Sequence, residues 1–374
     1  MERVMVLTLG FGTGHNAAAQ AVSRELERTA GVRVKTVDLL ELVPGRFHPF
    51  IQSGYGQMLN RFPSFYHYLY DSTSHSRILR TVSKGFIEKM GWTIRKKLKR
   101  VLFRFQPTRL VTTHPFSLLL LPPGWRHLPS TGVVTDYELH PLWLARVPRV
   151  LCLPPQLLDR SEQDRLRWQT GCRTVETGIP CDVRFGTRIP AEEARFRLGF
   201  EPGTPLILVM GGGMGCGPLP KVVEELGHMK VSAQIQVLTG KNHTIYRELC
   251  SQNQNVNIRV DRYRNDVSLL MDAADLLVTK PGGLSVTEAM AKGLPLLLFE
   301  ALPGQEYANQ QYLIRRGAAL HARPDTVRLL AEHLLTHPGQ RRDMAKRLGQ
   351  LAVPDAARRI AEQCLRMERL HSAL

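Results

Sequence analysis

The chain has 374 residues and a mass of 42.2 kDa, enough for two ordinary domains or one large one. Hydrophobic residues make up 43% and charged residues 22%, the balance of a chain that buries a real core, which excludes a disordered or collagen-like polypeptide. Fifty Lys and Arg against 33 Asp and Glu give a formal charge of +17, and so basic a surface expects polyanions: nucleic acid, anionic lipid or phosphorylated substrates.

The N-terminal run Met1–Gly10 leads into a glycine loop and lacks a small-residue cleavage site, so it reads as a first strand and not a signal peptide. No stretch approaches ~18–20 uninterrupted apolar residues, and no transmembrane helix is expected. Cys152, Cys172, Cys181, Cys216, Cys250 and Cys364 form no C-x-x-C pair and no zinc spacing. They read as reduced thiols of a cytosolic protein.

In chain order, Val4–Leu9 is an apolar run suited to a strand buried on both faces of a parallel sheet. A glycine loop follows, then an alanine-rich helix over Ala17–Arg28 and a strand over Val32–Asp38, a βαβ unit. Residues 51–110 interrupt the rhythm with 12 Lys/Arg, 2 Asp/Glu and 10 of the 26 aromatic residues. Within them Lys84–Phe105 reads as one helix with Ile87, Met90, Ile94, Leu98 and Val101/Leu102 on a stripe. Short strands follow at Leu110–Thr113, Gly132–Thr135 and Val150–Leu153.

Near 180–190 the pattern restarts: helix Ala191–Leu198, strand Pro205–Met210 and a second glycine loop, then strands at Ile235–Thr239, Val256–Val260, Leu276–Thr279 and Leu294–Phe299. Helices Thr244–Cys250, Val267–Ala273 and Ser285–Lys292 alternate with them, and helices run to the end. The expected class is α/β, with a domain over 1–182, a second over 183–350 and a terminal helix over 351–374 packing back on the first. Two doubly wound domains facing one another would put both glycine loops at the carboxyl ends of the strands, on a shared cleft.

Four motifs carry the chemistry. Gly10-Phe-Gly-Thr-Gly-His15 fits a dinucleotide fingerprint poorly. His15, just after Gly14, stands at a helix start, where the positive dipole end favours the neutral, basic imidazole; the plainer reading is a capping polar residue. Gly211, Gly212 and Gly213 open the loop GGGMGCGP, which looks like a diphosphate cradle. Lys280, Pro281, Gly282 and Gly283 end a strand and start a helix offering Ser285 and Thr287 to a phosphate, with Lys280 as counter-charge. Glu288 would accept a ribose diol, or else simply complement the helix dipole. Gln305, Glu306 and Asn309 follow a buried strand and suit a sugar. In Thr135-Asp-Tyr-Glu-Leu-His-Pro-Leu-Trp143, Asp136 and His140 offer acid–base groups and Trp143 an apolar wall, though an Asp-His pair this close is commonly structural.

GFGTGHNAAAQA, TDYELHPLW, GGGMGCGP and KPGGLSVTEAMAKGLPLLLFEALPGQEYANQ together resemble the monogalactosyldiacylglycerol synthase and processive diacylglycerol glucosyltransferase family, related to the lipid II-forming N-acetylglucosaminyltransferase. The resemblance runs from Val4 to about residue 350 and is most specific over 279–309. It implies a GT-B fold, two Rossmann-like domains about a central cleft, and an inverting, metal-independent transfer from a UDP-sugar to a lipid hydroxyl. Under it His15 is the general base or its partner and Asp136 a second candidate. Gly211–Gly213 and Gly282–Gly283 hold diphosphate, Glu288 ribose, and Gln305, Glu306 and Asn309 the sugar. The backbone around Arg264–Val267 faces uracil, and Trp143 lies beside the lipid.

With no transit peptide and no long N-terminal extension, the chain resembles the bacterial branch. The expectation is UDP-glucose as donor, with UDP-galactose as the other hexose, and diacylglycerol or a glycosyl-diacylglycerol as acceptor. No cofactor or metal is expected, in keeping with the lack of a D-x-D motif. The expected location is cytoplasmic, peripheral on the inner face of the cell membrane. Phe62, Phe65, Tyr66, Tyr68 and Tyr70 would insert at the headgroups, and Arg95, Lys96, Lys97, Lys99 and Arg100 would bind anionic lipid. Three rivals stand beside this reading. A lipid II-type transferase would use UDP-N-acetylglucosamine. A UDP-sugar 2-epimerase would leave the basic aromatic segment without a task. A nucleic-acid binder would leave the glycine loops without one, so no nucleic-acid partner is expected.

Overall fold

The computed structural model describes residues 1–10, 13–43, 79–252, 255–299, 301 and 304–367, with the backbone alone over 79–90. The chain divides into two compact units, Met1–Pro180 with Asp355–Leu374, and Cys181–Pro354. Among the described residues each unit has one six-stranded sheet, and every strand pair in both is parallel.

In the first unit β1 (Glu2–Thr8), β2 (Val32–Asp38), β3 (Arg109–Thr112), β4 (Ser130–Val133), β5 (Val150–Leu153) and β6 (Arg173–Glu176) lie in the order β2-β1-β3-β4-β5-β6. Successive side chains of a strand point to opposite faces. Val4 and Val6 therefore pack with Ala19, Val22 and Leu26 of α1 (Thr13–Glu27), while Met5 and Leu7 pack with Ile94, Leu98 and Leu102 of α2 (Leu79–Phe105). The spacing of those three α2 residues makes one apolar stripe. Ile87 and Met90, expected on it, have side chains outside the described residues.

Short helices α3 (Pro115–Leu119) and α4 (Leu142–Ala145) follow β3 and β4. Helix α5 (Arg160–Thr170) has a capping box between Asp159 and Glu162 and ends on Gly171. The terminal helix, here called α14 (Ala356–Arg366), packs on α1, and its Ile360 and Cys364 join the Val4/Val6 core. Buried Arg109 fastens it by donating to the carbonyls of Cys364 (3.1 Å) and Met367 while pairing with Glu2 (3.2 Å).

In the second unit β7 (Leu206–Met210), β8 (Gln234–Leu238), β9 (Ile258–Asp261), β10 (Leu276–Thr279), β11 (Leu296–Phe299) and β12 (Ala319–Ala322) lie in the order β12-β11-β10-β7-β8-β9. The connecting helices are α6 (Ala191–Leu198), α7 (Leu219–Gly227), α8 (His243–Gln252), α9 (Val267–Ala273), α10 (Gly283–Lys292) and α11 (Gln305–Arg315), followed by α12 (Val327–Thr336) and α13 (Pro338–Leu351). The loops after β7 and β8 press together: a Cβ on Gly215 (φ +62°) would lie 2.0 Å from the Thr239 carbonyl oxygen. Part of the glycine richness of GGGMGCGP is thus required by packing.

Helix α1 begins at Thr13, four residues before the expected Ala17. His15 and Asn16 are tied down by tertiary hydrogen bonds, so their side chains do not compete for their own backbone and the first turn stays helical. Strand β4 ends at Val133, so Thr135 lies beyond it.

Candidate active site

The loops leaving β1, β3 and β4 meet at one edge of the first sheet, around His15. Its Nδ1 lies 2.9 Å from the Thr113 carbonyl and 3.0 Å from Thr135 Oγ1. A carbonyl only accepts, so Nδ1 carries the proton, and in the neutral ring Nε2 is left with its lone pair, the form a general base needs. Burial lowers the His15 pKa; Asp136, the bond to Thr113 and Asp38 act in the opposite sense. The sequence reading attributed a neutral ring to the helix dipole, whereas enclosure is the larger cause here.

The backbone under His15 is fixed by a polar chain. Thr113 Oγ1 stands 3.1 Å from the His15 carbonyl and 3.0 Å from Thr8 Oγ1; Thr8 donates to Asn16 Oδ1 (2.9 Å), and Asn16 donates to Asp38 (2.9 Å). Asp38 also accepts from the Gly10 N–H (3.1 Å). This acid therefore organises the glycine loop.

Sequence reasoning missed His114 and Glu138. The rings of His114 and His15 meet edge to face, centroids 4.7 Å apart. His114 caps α3: its Nδ1 accepts from the Phe116 N–H (3.3 Å), so its neutral proton sits on Nε2. Burial, then His15 and His140, hold its pKa well below the ordinary imidazole value. His140 Nδ1 accepts from the Leu142 N–H (3.1 Å), and burial lowers its pKa too. Glu138 has a shielded Oε2 with no hydrogen-bond partner, and burial, reinforced by Asp136, raises its pKa. The available signals were Thr113-His-Pro115 at a strand end and the second acid of TDYELH.

Trp143 corrects an expectation. Its side chain lies in the core of the first unit, 3% exposed, with its ring against Gly132, where a Cβ would come within 2.7 Å. Bulk filled from inside cannot also be a wall for a ligand.

In the second unit the strand-end loops carry the polar groups of the 264–309 block. Helix α10 has Gly282 as its N-cap and no side-chain cap, so its first N–H groups are open to an anion. Ser285 lies in that first turn, but Thr287 does not serve it: its hydroxyl donates to the Gly283 carbonyl (2.7 Å). Asn309 is also turned inward, fully buried and donating to the Pro281 carbonyl (3.0 Å), where it braces the KPGG turn. Lys280 Nζ pairs with Glu306 Oε1 at 2.5 Å, which joins the expected phosphate cation to the expected sugar acid. A Cβ on Gly212 would stand 2.9 Å from Lys280 Cε, so the start of the second glycine loop lies against the same lysine. Gln305 and Glu306 open α11 behind the uncapped Gly304.

Glu288 retains some exposed surface, yet burial of its carboxyl, with Asp182 adding and Arg184 opposing, pushes its pKa up to about 8. At neutral pH it is an acid with a proton to donate, not the carboxylate that the sequence reading supposed. Arg264 holds Asp261 (2.8 Å) and Asp266 (2.8 Å) with its guanidinium, stiffening the turn before Val267, the first residue of α9.

Along α2, Trp92, Arg95, Lys96, Lys99, Arg100 and Phe103 are exposed and Lys97 is half-buried. Lys96 Nζ lies 5.1 Å from the Trp92 ring centroid. Phe62, Phe65, Tyr66, Tyr68 and Tyr70 lie outside the described residues. Among the described residues no helix is long and apolar enough to cross a membrane, and no group of three or more His, Cys, Asp and Glu side chains is arranged to hold a metal ion.

Comparison with known proteins completes the picture. Residues 15–159 match the family model of monogalactosyldiacylglycerol (MGDG) synthase, and 206–360 that of the glycosyltransferase family 28 C-terminal domain. A rice protein named "Probable monogalactosyldiacylglycerol synthase 3, chloroplastic" is 27% identical over 375 residues, 95% of this chain and 72% of its own length. The solved structure of MurG from Acinetobacter baumannii superposes with a TM-score of 0.61 at 18% identity, covering 98% of this chain and 100% of that one. The UDP-GlcNAc 2-epimerase of Neisseria meningitidis, solved with UDP-GlcNAc, gives 0.62 at 12% identity over the same shares. Those likenesses are of fold alone, the GT-B fold, and an epimerase shares it; the family models separate transfer from epimerisation. The class is thereby a UDP-sugar-dependent hexosyltransferase. The first unit is thus similar to the monogalactosyldiacylglycerol synthase family, and the second to the C-terminal domain of glycosyltransferase family 28.

Proposed function

We propose that the protein transfers a hexose, galactose or glucose, from its UDP-sugar to the free hydroxyl of diacylglycerol or a glycosyl-diacylglycerol, with inversion and without a metal ion, giving a β-glycolipid at a membrane surface. The observation that carries this is His15: Nδ1 committed to the Thr113 carbonyl, Nε2 left as base, on the unit that matches the MGDG synthase model.

The acceptor hydroxyl gives its proton to His15 Nε2 as its oxygen attacks the anomeric carbon, a contribution of ~10²–10⁴-fold. The C–O bond to UDP breaks on the opposite face, and the electron pair leaves with the diphosphate. The open N–H groups of α10 and the Lys280 ammonium meet that charge. The protonated Glu288 suits a ribose hydroxyl, and Glu306 a sugar hydroxyl. Asp136 supports the imidazolium that forms, and shares the candidacy for base.

Galactose and glucose differ only in the orientation of one hydroxyl, at C4. The rice relative, named a monogalactosyldiacylglycerol synthase, supports galactose; the expectation from sequence is glucose. The exposed basic and aromatic face of α2 supports docking from the side of an anionic membrane; we place it on the inner face of the cell membrane, although the relative is named as chloroplastic. The test is one incubation of purified protein with diacylglycerol vesicles and, separately, UDP-galactose, UDP-glucose and UDP-N-acetylglucosamine, in the presence of a chelator, read by lipid mass spectrometry and anomeric NMR. A β-hexosyl-diacylglycerol is expected. An N-acetylhexosaminyl lipid, a free epimerised UDP-sugar or an α-linked product overturns the reading.

A further inference from the structure

At the opposite edge of the second sheet from the donor loops is a second polar site. A cavity of about 290 Å³ is lined by residues from the segment before α6, the ends of α9 and α10 with the connections that follow them, and α13, among them Arg188, Asp272, Asp275, Lys292, Arg341 and Arg342. Those connections enter the amino ends of β10 and β11; Lys280 and the glycine loops leave the carboxyl ends. The cavity therefore belongs to a different surface of the unit from the diphosphate-binding turn.

Its charges do not balance. Both acids are already engaged. Asp272 pairs with Lys292 at 2.6 Å, deep in the floor, and Lys292 also donates to the Thr187 carbonyl (2.5 Å). Asp275 accepts from Arg195 (2.6 Å) and from the Leu206 N–H (2.9 Å). Three arginines share what remains: Arg341 reaches Asp275 only at the far limit of an ion pair, and Arg188 and Arg342 line the cavity beside it. Arg188 lies across Gly293, where a Cβ would fall 2.6 Å from its Nη2, and reaches only the Ala291 carbonyl at 3.4 Å. Arg342 is exposed. Arg341 is decisive: its Nη1 is shielded from solvent and has no hydrogen-bond partner, and its ion pair with Asp275 Oδ1, at 4.0 Å, is too long to be a hydrogen bond and shares a carboxylate that Arg195 already holds. A buried guanidinium N–H without an acceptor costs free energy that a bound anion returns.

We propose that this cavity is a binding site for a phosphate-bearing anion, separate from the donor site, with Arg341 as its central ligand and Arg188 and Arg342 at its rim. Three forked cations around one hollow match the several acceptor oxygens of a phosphate. The volume lies at the lower limit of ligand pockets, ~300 Å³, enough for a phosphate group with a short arm. The proposal is independent of which sugar or acceptor the enzyme uses.

The experiment is calorimetric titration of the full-length protein with sodium phosphate at saturating UDP, for wild type, Arg341→Gln and the double variant R188Q/R342Q. Wild type should bind phosphate saturably. Arg341→Gln should weaken that binding at least about tenfold, the loss of one charge-assisted hydrogen bond, while UDP binding and the melting temperature are retained. The rim arginines are exposed, so R188Q/R342Q carries the test should Arg341→Gln fail to fold. Flotation with phosphatidylcholine vesicles, with and without phosphatidylglycerol, distinguishes sources. Loss of phosphatidylglycerol-dependent flotation in the same variants assigns the site to a lipid headgroup; unchanged flotation with lost phosphate binding assigns it to a soluble ligand. No phosphate binding by wild type, or equal affinity in all three proteins, overturns the proposal.

Discussion

The glycine loop before α1 and the Lys280–Gly283 turn before α10 obey the same local rule, a buried parallel strand, glycines and a helix start, yet their surroundings differ in kind. Around α1 the polar groups are imidazoles and acids enclosed so that they hold or release protons: His15, His114 and His140 are all kept neutral by burial. Around α10 they are open N–H groups and a paired lysine, Lys280 with Glu306, a set suited to receiving negative charge, beside a single carboxyl, Glu288, that burial holds protonated. One supersecondary unit thus supports proton transfer or anion binding according to what is packed beside its helix start. The strand–glycine–helix pattern alone does not say which.

The sharpest way to break the contrast is His15→Ala. Turnover should fall ~10²–10⁴-fold, while UDP affinity, measured by calorimetry, stays as in wild type, because the groups proposed to hold the diphosphate lie in the other unit. A variant of full activity removes His15 from proton transfer. Next in size is charge removal from the exposed face of α2. Changing Arg95, Lys96, Lys99 and Arg100 to Gln should cost about 1 kcal/mol each in affinity for anionic vesicles, with turnover on detergent-dispersed acceptor retained; equal vesicle binding refutes the docking face.

The two sites should also respond to pH in opposite directions. Glu288 has a pKa of about 8 in the folded chain against an ordinary 4.5. Between those values the native state holds a proton that the unfolded state has lost, so its contribution to stability falls as pH rises through 8. Urea unfolding of wild type should therefore weaken from pH 6.5 to 8, and Glu288→Gln should flatten that slope; an identical slope means the carboxyl is ionised throughout. The histidines work the other way. With native pKa values below 6.5, the unfolded chain takes up protons first as pH falls, and stability is lost below 6.5. His114→Asn keeps a helix-capping side chain but opens the wall of His15, so the acid limb of kcat/KM should move to higher pH. An unmoved limb would reduce His114 to a cap.

Much of the fold could be read from residue order. Runs such as Val4–Leu9, Pro205–Met210 and Leu276–Thr279 are apolar on both faces, and only a covered parallel strand uses such a run. Strands β6 and β12 escaped because they are edge strands: β6 has no buried side chain, and the two buried residues of β12 are alanines, which carry little strand signal. In the candidate site, His15, Asp136, Lys280, Glu288 and Glu306 could be named from motifs. Their chemical states could not. Asn309 and Thr287 look like ligands in sequence and prove to be braces, since a side-chain amide or hydroxyl that reaches a buried carbonyl satisfies it in preference to facing outward.

What residue order by itself determined is the alternation of buried strands and helices and the polar residues at strand ends, because side-chain periodicity and glycine placement act over a few neighbours. What only the tertiary structure decided is which nitrogen of His15 carries a proton, that burial raises the pKa of Glu288, that Trp143 is core, and that Arg341 Nη1 lacks a hydrogen-bond partner. Each depends on groups far apart in the chain. Desolvation and hydrogen-bond pairing are set by whatever folding brings alongside.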